Sequence, residues 1–147
     1  MHCAKRGIKL VFTSGPDREE KQMVNSICEG LDAFNLAGKI SLQELGALIL
    51  LSDCLLCVDS VPFHMANALK KKVVALFGPT SEITWGPWRN PHASVIVKPF
   101  SCRPCYQDGC GGSKRSDCME TIEVQEVMEV VLDSVNLFNT LSQASST

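Results

Sequence analysis

The sequence predicts an α/β fold, a Rossmann-like parallel sheet with helices on both faces. Three observations predict it. Short apolar runs rich in Val, Leu, Ile and Phe alternate with longer stretches of helical periodicity. Each run ends in a Gly, Pro or Ser turn signal, which is how strands hand over to helices in such sheets. Polar residues gather directly after two of the runs, at 59–60 and 78–80, and the carboxyl ends of strands are where open α/β sheets bind ligands.

The elements follow in order. Ile8-Lys9-Leu10-Val11-Phe12 is a strand running into the turn Thr13-Ser14-Gly15-Pro16. Asp17-Arg18-Glu19-Glu20 opens a helix, with acidic side chains where the helix dipole favours them. Its apolar face is Met23, Val24, Ile27, Cys28 and Leu31. Ala33 to Ala37 reads as a short edge strand. Ser41 and Glu44 form a capping-box pattern at the start of a second helix through Leu45, Leu48 and Ile49.

Cys54-Leu55-Leu56-Cys57-Val58 is the next strand. Asp59-Ser60 then starts a helix through Leu69, and Val73-Val74-Ala75-Leu76-Phe77 is a further strand, closed by Gly78-Pro79-Thr80. Ser81 to His92 is a loop carrying Trp85 and Trp88, and Ser94 to Val97 a short strand. Cys102 to Cys118 is a Gly/Pro-rich loop. From Ile122 to about Leu141 an amphipathic helix carries Val124, Val127, Met128, Val131, Val135 and Phe138 on one face, and a polar tail ends the chain.

Composition sets the limits. The 147 residues fit one domain, 1–147, with 45% hydrophobic and 20% charged residues. A net charge of −2 carries no electrostatic footprint for nucleic acid. No apolar run is long enough to span a bilayer, and no signal-peptide core follows the first residues, so the expected location is the cytoplasm. The first strand follows closely on Met1, which suits both a small complete domain and a piece of a larger protein.

Four places could carry chemistry, and each has a plainer structural reading. Free N–H groups at the helix start after Val58 could hold a phosphate or diphosphate, with Ser60 adding a hydroxyl, Asp59 accepting from a sugar hydroxyl and His64 donating one turn in. Asp59 and Ser60 could equally be helix caps. Glu19 could take the hydroxyls of a ribose, or serve only the helix dipole. Cys102, Cys105, Cys110 and Cys118, of eight cysteines in all, could be four thiolate ligands for zinc; the alternative is buried or loop thiols. Trp85 and Trp88 could stack on a sugar or base, or pin their loop.

Two stretches carry a resemblance. Val58-Asp59-Ser60-Val61-Pro62-x-His64-x-Ala66-x-Ala68-Leu69 and Val74-Ala75-Leu76-Phe77-Gly78-Pro79-Thr80 resemble the C-terminal half of glycosyltransferase family 9, the ADP-heptose:lipopolysaccharide heptosyltransferases. Trp85-Gly86-Pro87-Trp88, Cys102-Arg103-Pro104-Cys105 and Asp108 to Arg115 look most like its heptosyltransferase III subgroup.

The resemblance implies one half of a GT-B enzyme, with two Rossmann-like domains facing across a cleft. This chain would be the donor domain, and the N-terminal domain, which binds the lipopolysaccharide core acceptor and supplies a catalytic aspartate, would lie outside it. No catalytic residue is then expected in this chain. Asp59 would bind heptose hydroxyls, the Ser60 and Val61 amides with His64 the diphosphate, Glu19 (or its neighbour Glu20) the ribose, and Ile40 the adenine through its backbone. Val61 stands where many members of the family have glycine. The donor would be ADP-heptose, with no cofactor required and no metal. The full enzyme would be cytoplasmic and peripheral to the inner membrane. The alternative is a truncated or stand-alone nucleotide-binding module without catalytic activity. The surface facing an absent domain leaves homodimerisation open.

Overall fold

The computed structural model describes residues 7–144, and the side chains of residues 7–135. Cys3, the side chain of Phe138 and the end of the polar tail therefore lie outside the described residues. The elements are β1 (Leu10–Phe12), α1 (Arg18–Cys28), β2 (Ala33–Asn35), α2 (Leu42–Leu51), β3 (Leu55–Val58), α3 (Val61–Ala68), β4 (Val73–Phe77), α4 (Glu82–Trp85), β5 (Ala93–Val97), α5 (Asp117–Glu120) and α6 (Val124–Ala144). The strand–helix alternation read from the sequence is present, and every strand pairing is parallel. The chain divides into two compact units, Met1–Leu45 and Gly46–Thr147.

In the first unit β1 and β2 form a two-stranded sheet, with Leu10 opposite Ala33 and Phe12 opposite Asn35. Asp17 caps α1, its carboxylate accepting from the Glu19 and Glu20 amides at 2.8 and 3.1 Å. Asn35 donates to Asn25 at 2.7 Å, tying β2 to α1. The capping box at α2 is formed in both directions. The Ser41 amide donates to the Glu44 carboxylate at 2.7 Å, and the Glu44 amide to the Ser41 hydroxyl at 3.3 Å. Of the apolar face predicted for α1, Val24 is buried, while Met23 and Ile27 are exposed. The helix has the expected periodicity, but only part of its stripe is covered.

In the second unit the strand order is β3-β4-β5. β4 is the central strand. Val73, Val74, Ala75 and Phe77 are all buried, so both of its faces are covered, as parallel sheets require. α3 packs on β3 and β4, and α6 packs on β4. The Phe63 ring of α3 meets the Phe77 ring of β4 edge-to-face, 5.5 Å between centroids, and both side chains are fully buried. The loop predicted over 81–92 contains a single helical turn, α4. Ser81 starts it by accepting from the Thr84 amide at 3.2 Å.

Truncating this centre leaves a cavity that the packed strand cannot collapse. Phe77→Ala is expected to destabilise the second unit by about 3–5 kcal/mol, a large part of a domain's usual stability of about 5–15 kcal/mol. Urea denaturation followed by circular dichroism measures this, and an unchanged midpoint would place Phe77 outside the core.

Candidate functional site

The site of interest in the second unit lies at the carboxyl ends of β3 and β4. The register aligns Val58 with Leu76, so Asp59-Ser60 leave β3 beside the point where Gly78-Pro79-Thr80 leave β4. Ser60 occupies the N-cap position of α3 in an extended conformation, but its side chain does not cap the helix. Its hydroxyl turns back and donates to the Val58 carbonyl at 3.0 Å. Pro62 has no N–H. The Phe63 and His64 amides donate to the Ser60 carbonyl at 3.0 and 3.4 Å. The Ser60 and Val61 amides are thus the donors left over at this helix start, among the described residues, and the helix dipole adds partial positive charge there.

Asp59 does not cap the helix either. Its Oδ1 stands 3.7 Å from Nε2 of His64, an ion-pair distance and longer than a hydrogen bond. Asp59 is mostly buried, whereas the His64 side chain is about half exposed. Val61, at the glycine position of the resemblance, is exposed. The structure therefore brings Asp59, Ser60, Val61 and His64 together, and neither the Asp59 nor the Ser60 side chain caps α3. Burial pushes the half-buried Cys57 thiol up to about 12, with Cys54 and Asp59 adding to the effect, which keeps it neutral at ordinary pH.

Glu19 and Ile40 belong to the first unit. Glu19 is exposed in the first turn of α1, with no hydrogen-bond partner for its carboxylate among the described residues. Its neighbour Glu20 is engaged, accepting from the Gly15 amide at 3.0 Å. Of the two, Glu19 is the one available to a ligand. Ile40 lies half-buried in the bend before α2. A surface hollow in this unit, lined by Gly7, Ile8, Lys9, Asp32 and Phe34, contains none of the predicted residues.

The cysteine loop does something other than what its spacing suggests. Among the described residues no group of three or more His, Cys, Asp or Glu is arranged to hold a metal ion. Cys102 and Cys110 are exposed, Cys105 half-buried and Cys118 buried. Cys110 accepts from the Asp117 amide at 3.4 Å. The loop instead seats on the end of β4. The Cys105 and Tyr106 amides both donate to the Pro79 carbonyl, at 3.1 and 3.0 Å. Met119 packs so tightly on Gly78 that a β-carbon there would come within 2.5 Å of it.

Sequence reasoning missed Arg103. Its guanidinium is nearly buried and donates to the carbonyls of Gly78 at 2.6 Å and Thr80 at 3.0 Å, and to the Glu82 carboxylate at 3.0 Å. A fork of five donors is what this fan of acceptors needs. The two tryptophans also separate. Trp88 is faced by Lys70 and Arg89, at 5.6 and 4.9 Å from its ring. Trp85 stands edge-on to His64, 6.4 Å between centroids.

Parallel strands joined by helices make this an α/β fold, the class whose strand carboxyl ends commonly carry ligand sites. The sequence pattern of glycosyltransferase family 9 (heptosyltransferase) matches residues 1–114, and the chain belongs to that family. It is 43% identical over 88 residues to lipopolysaccharide heptosyltransferase 3 of Escherichia coli, covering 58% of this chain and 26% of that protein. It is 30% identical over 127 residues to lipooligosaccharide heptosyltransferase 2 of Campylobacter jejuni, covering 83% of this chain and 39% of that one. The fold is shared with the solved structure of E. coli ADP-heptose lps heptosyltransferase II at a TM-score of 0.77 and 22% identity, over 94% of this chain and 39% of that one. A family 9 glycosyltransferase from Veillonella parvula matches at a TM-score of 0.73 and 23% identity, over 91% of this chain and 38% of that one. The chain thus spans between about a quarter and two fifths of the length of these relatives. No helix among the described residues is long and apolar enough to cross a membrane.

Two outcomes are expected of the site's surroundings. Under native conditions at pH 8, maleimide modifies Cys102 and Cys110 first, and Cys57 and Cys118 only on unfolding, since burial also pushes the Cys118 thiol up. Peptide mass spectrometry reads this, and early labelling of Cys118 would mean that the loop does not seat on Gly78. Glu82 gives a pH dependence. Its carboxyl is held below the ordinary value of 4.5, above all by its own backbone N–H; burial opposes this, and the hydrogen bond and charge of Arg103 add to the lowering. A depressed folded value contributes stability that is complete above pH 4.5 and lost as the pH falls through the folded value. Acid titration of tryptophan fluorescence should show this loss in the wild type, and Glu82→Gln should remove that part of the curve.

Proposed function

We propose that this chain is the donor-binding part of a heptosyltransferase that moves heptose from ADP-heptose to the lipopolysaccharide inner core. The observation that carries the reading is the uncapped start of α3, with Asp59 and His64 beside it, inside the stretch matched to family 9. The free amides of Ser60 and Val61 suit a diphosphate, because fixed N–H donors and the helix dipole stabilise negative charge without reorganisation. His64 adds a donor to the same charge. The relatives' names support heptose as the sugar and lipopolysaccharide as the acceptor class, and one of the structural neighbours is named for ADP-heptose.

In this reading each residue has one task. Asp59 accepts from heptose hydroxyls, its carboxylate positioned against His64 so that both face one ligand. Glu19, whose carboxylate is uncommitted, takes the ribose hydroxyls, and the backbone at Ile40 meets adenine. The reaction inverts the anomeric carbon. An acceptor hydroxyl loses its proton to an aspartate of a separate acceptor domain and attacks, and ADP departs with its charge held at the α3 start. No metal or other cofactor takes part. The chain by itself binds donor and does not transfer. The complete enzyme works in the cytoplasm, at the membrane surface where its lipid acceptor is made.

Calorimetric titration of the chain with ADP, ADP-heptose and UDP-sugars tests the reading. The expected result is weak binding of the two adenine ligands, no binding of UDP-sugars, and a loss of about ten-fold or more in ADP-heptose affinity for Asp59→Ala. Equal binding by wild type and variant would remove Asp59 from the site. Heptose transfer by the 147-residue chain alone would show that it holds the base after all.

A further inference from the structure

Trp85 is half exposed, at 49%, at the end of the one-turn helix α4, whose start is tied down. The anchors form a chain. Arg103 grips the carbonyls of Gly78 and Thr80 and the carboxylate of Glu82. Ser81, buried between those last two residues, accepts from the Thr84 amide through its hydroxyl and from the Trp85 amide, at 2.9 Å, through its carbonyl. The indole is thereby held against the edge of His64 with part of its surface open. Trp88, three residues on, has no such role, since two cations face its ring.

We infer that Trp85 is a sugar-stacking residue of the donor site and that Arg103 is the positioning residue that sets it there. The inference rests on the donor reading of Asp59 and His64. The chemistry is that of a pyranose face. Axial C–H groups carry slight positive charge, an indole face carries slight negative charge, and burying the two against each other removes apolar area from water. Asp59 supplies the complementary half by accepting from the hydroxyls at the ring's rim. The diphosphate at the α3 start fixes where the sugar begins, and His64 lies between that point and Trp85. A bare nucleoside diphosphate has nothing to place on Trp85, so the residue acts on the sugar alone.

The test is the ratio of the chain's affinities for ADP-heptose and ADP, measured by calorimetry on wild type, Trp85→Ala, Trp85→Phe and Arg103→Lys. Wild type is expected to prefer ADP-heptose. Trp85→Ala should weaken ADP-heptose roughly ten-fold and leave ADP within about two-fold. Trp85→Phe should keep most of the preference. Arg103→Lys retains the charge but not the fork, and should lose the preference while still binding ADP; a purely structural Arg103 would lower the melting temperature and leave the ratio alone. In a Trp88→Phe protein, which has Trp85 as its single tryptophan, ADP-heptose should change the fluorescence more than ADP does. An undiminished preference in Trp85→Ala, equal affinity of wild type for both ligands, or equal fluorescence changes would overturn the inference and leave the donor reading standing. Failure of wild type to bind ADP at all would overturn both.

Discussion

Everything in the second unit depends on the burial of β4 from both sides. Val73, Val74 and Ala75 are consecutive and each almost completely hidden, which no one-sided sheet achieves. The contact of Phe63 with Phe77 locks α3 to the strand's last residue. Because that residue is also the last before Gly78, the packing that stabilises the core fixes where the loop after β4 begins. The parallel register with β3 then sets Asp59 level with that point. Core and site share a boundary one residue wide.

The polar side of that boundary obeys a second constraint. The carbonyls of Gly78, Pro79 and Thr80 have run past the end of the sheet and need donors. They find them in a segment more than twenty residues away, in Arg103 and the amides of Cys105 and Tyr106. The loop after β4 owes its shape to hydrogen bonds made at a distance. Of the cysteines in that brace, Cys118 is buried and Cys110 accepts from the Asp117 amide.

Much of this was legible in the sequence. Alternating runs announced the strands, the Ser41–Glu44 pair announced the start of α2, and the polar residues after Val58 announced the end of β3, because each depends on neighbours along the chain. What depended on distant partners was not legible. Periodicity named an apolar face on α1 but could not say that Met23 and Ile27 would stay uncovered. Residue type left Ser60 between a helix cap and a ligand contact and gave no sign that its hydroxyl would turn to the Val58 carbonyl, two residues back. Cysteine spacing left zinc ligands and loop thiols both open, because it records sequence intervals and not where the sulfurs point. Arg103 carried no local signal, since its acceptors at Gly78, Thr80 and Glu82 are 21 to 25 residues away.

The seat of Met119 on Gly78 has a consequence for where this module ends. The family pattern stops at residue 114, yet the side chain that closes the floor beneath the β4 turn comes from residue 119, beside the buried Cys118. The functional unit is therefore longer than the stretch by which it is recognised. A protein trimmed to the recognised stretch would keep each predicted ligand-binding residue and lose the wedge beneath them. Comparisons between members that stop at the same point would likewise overlook the part that decides how steadily the loop is held.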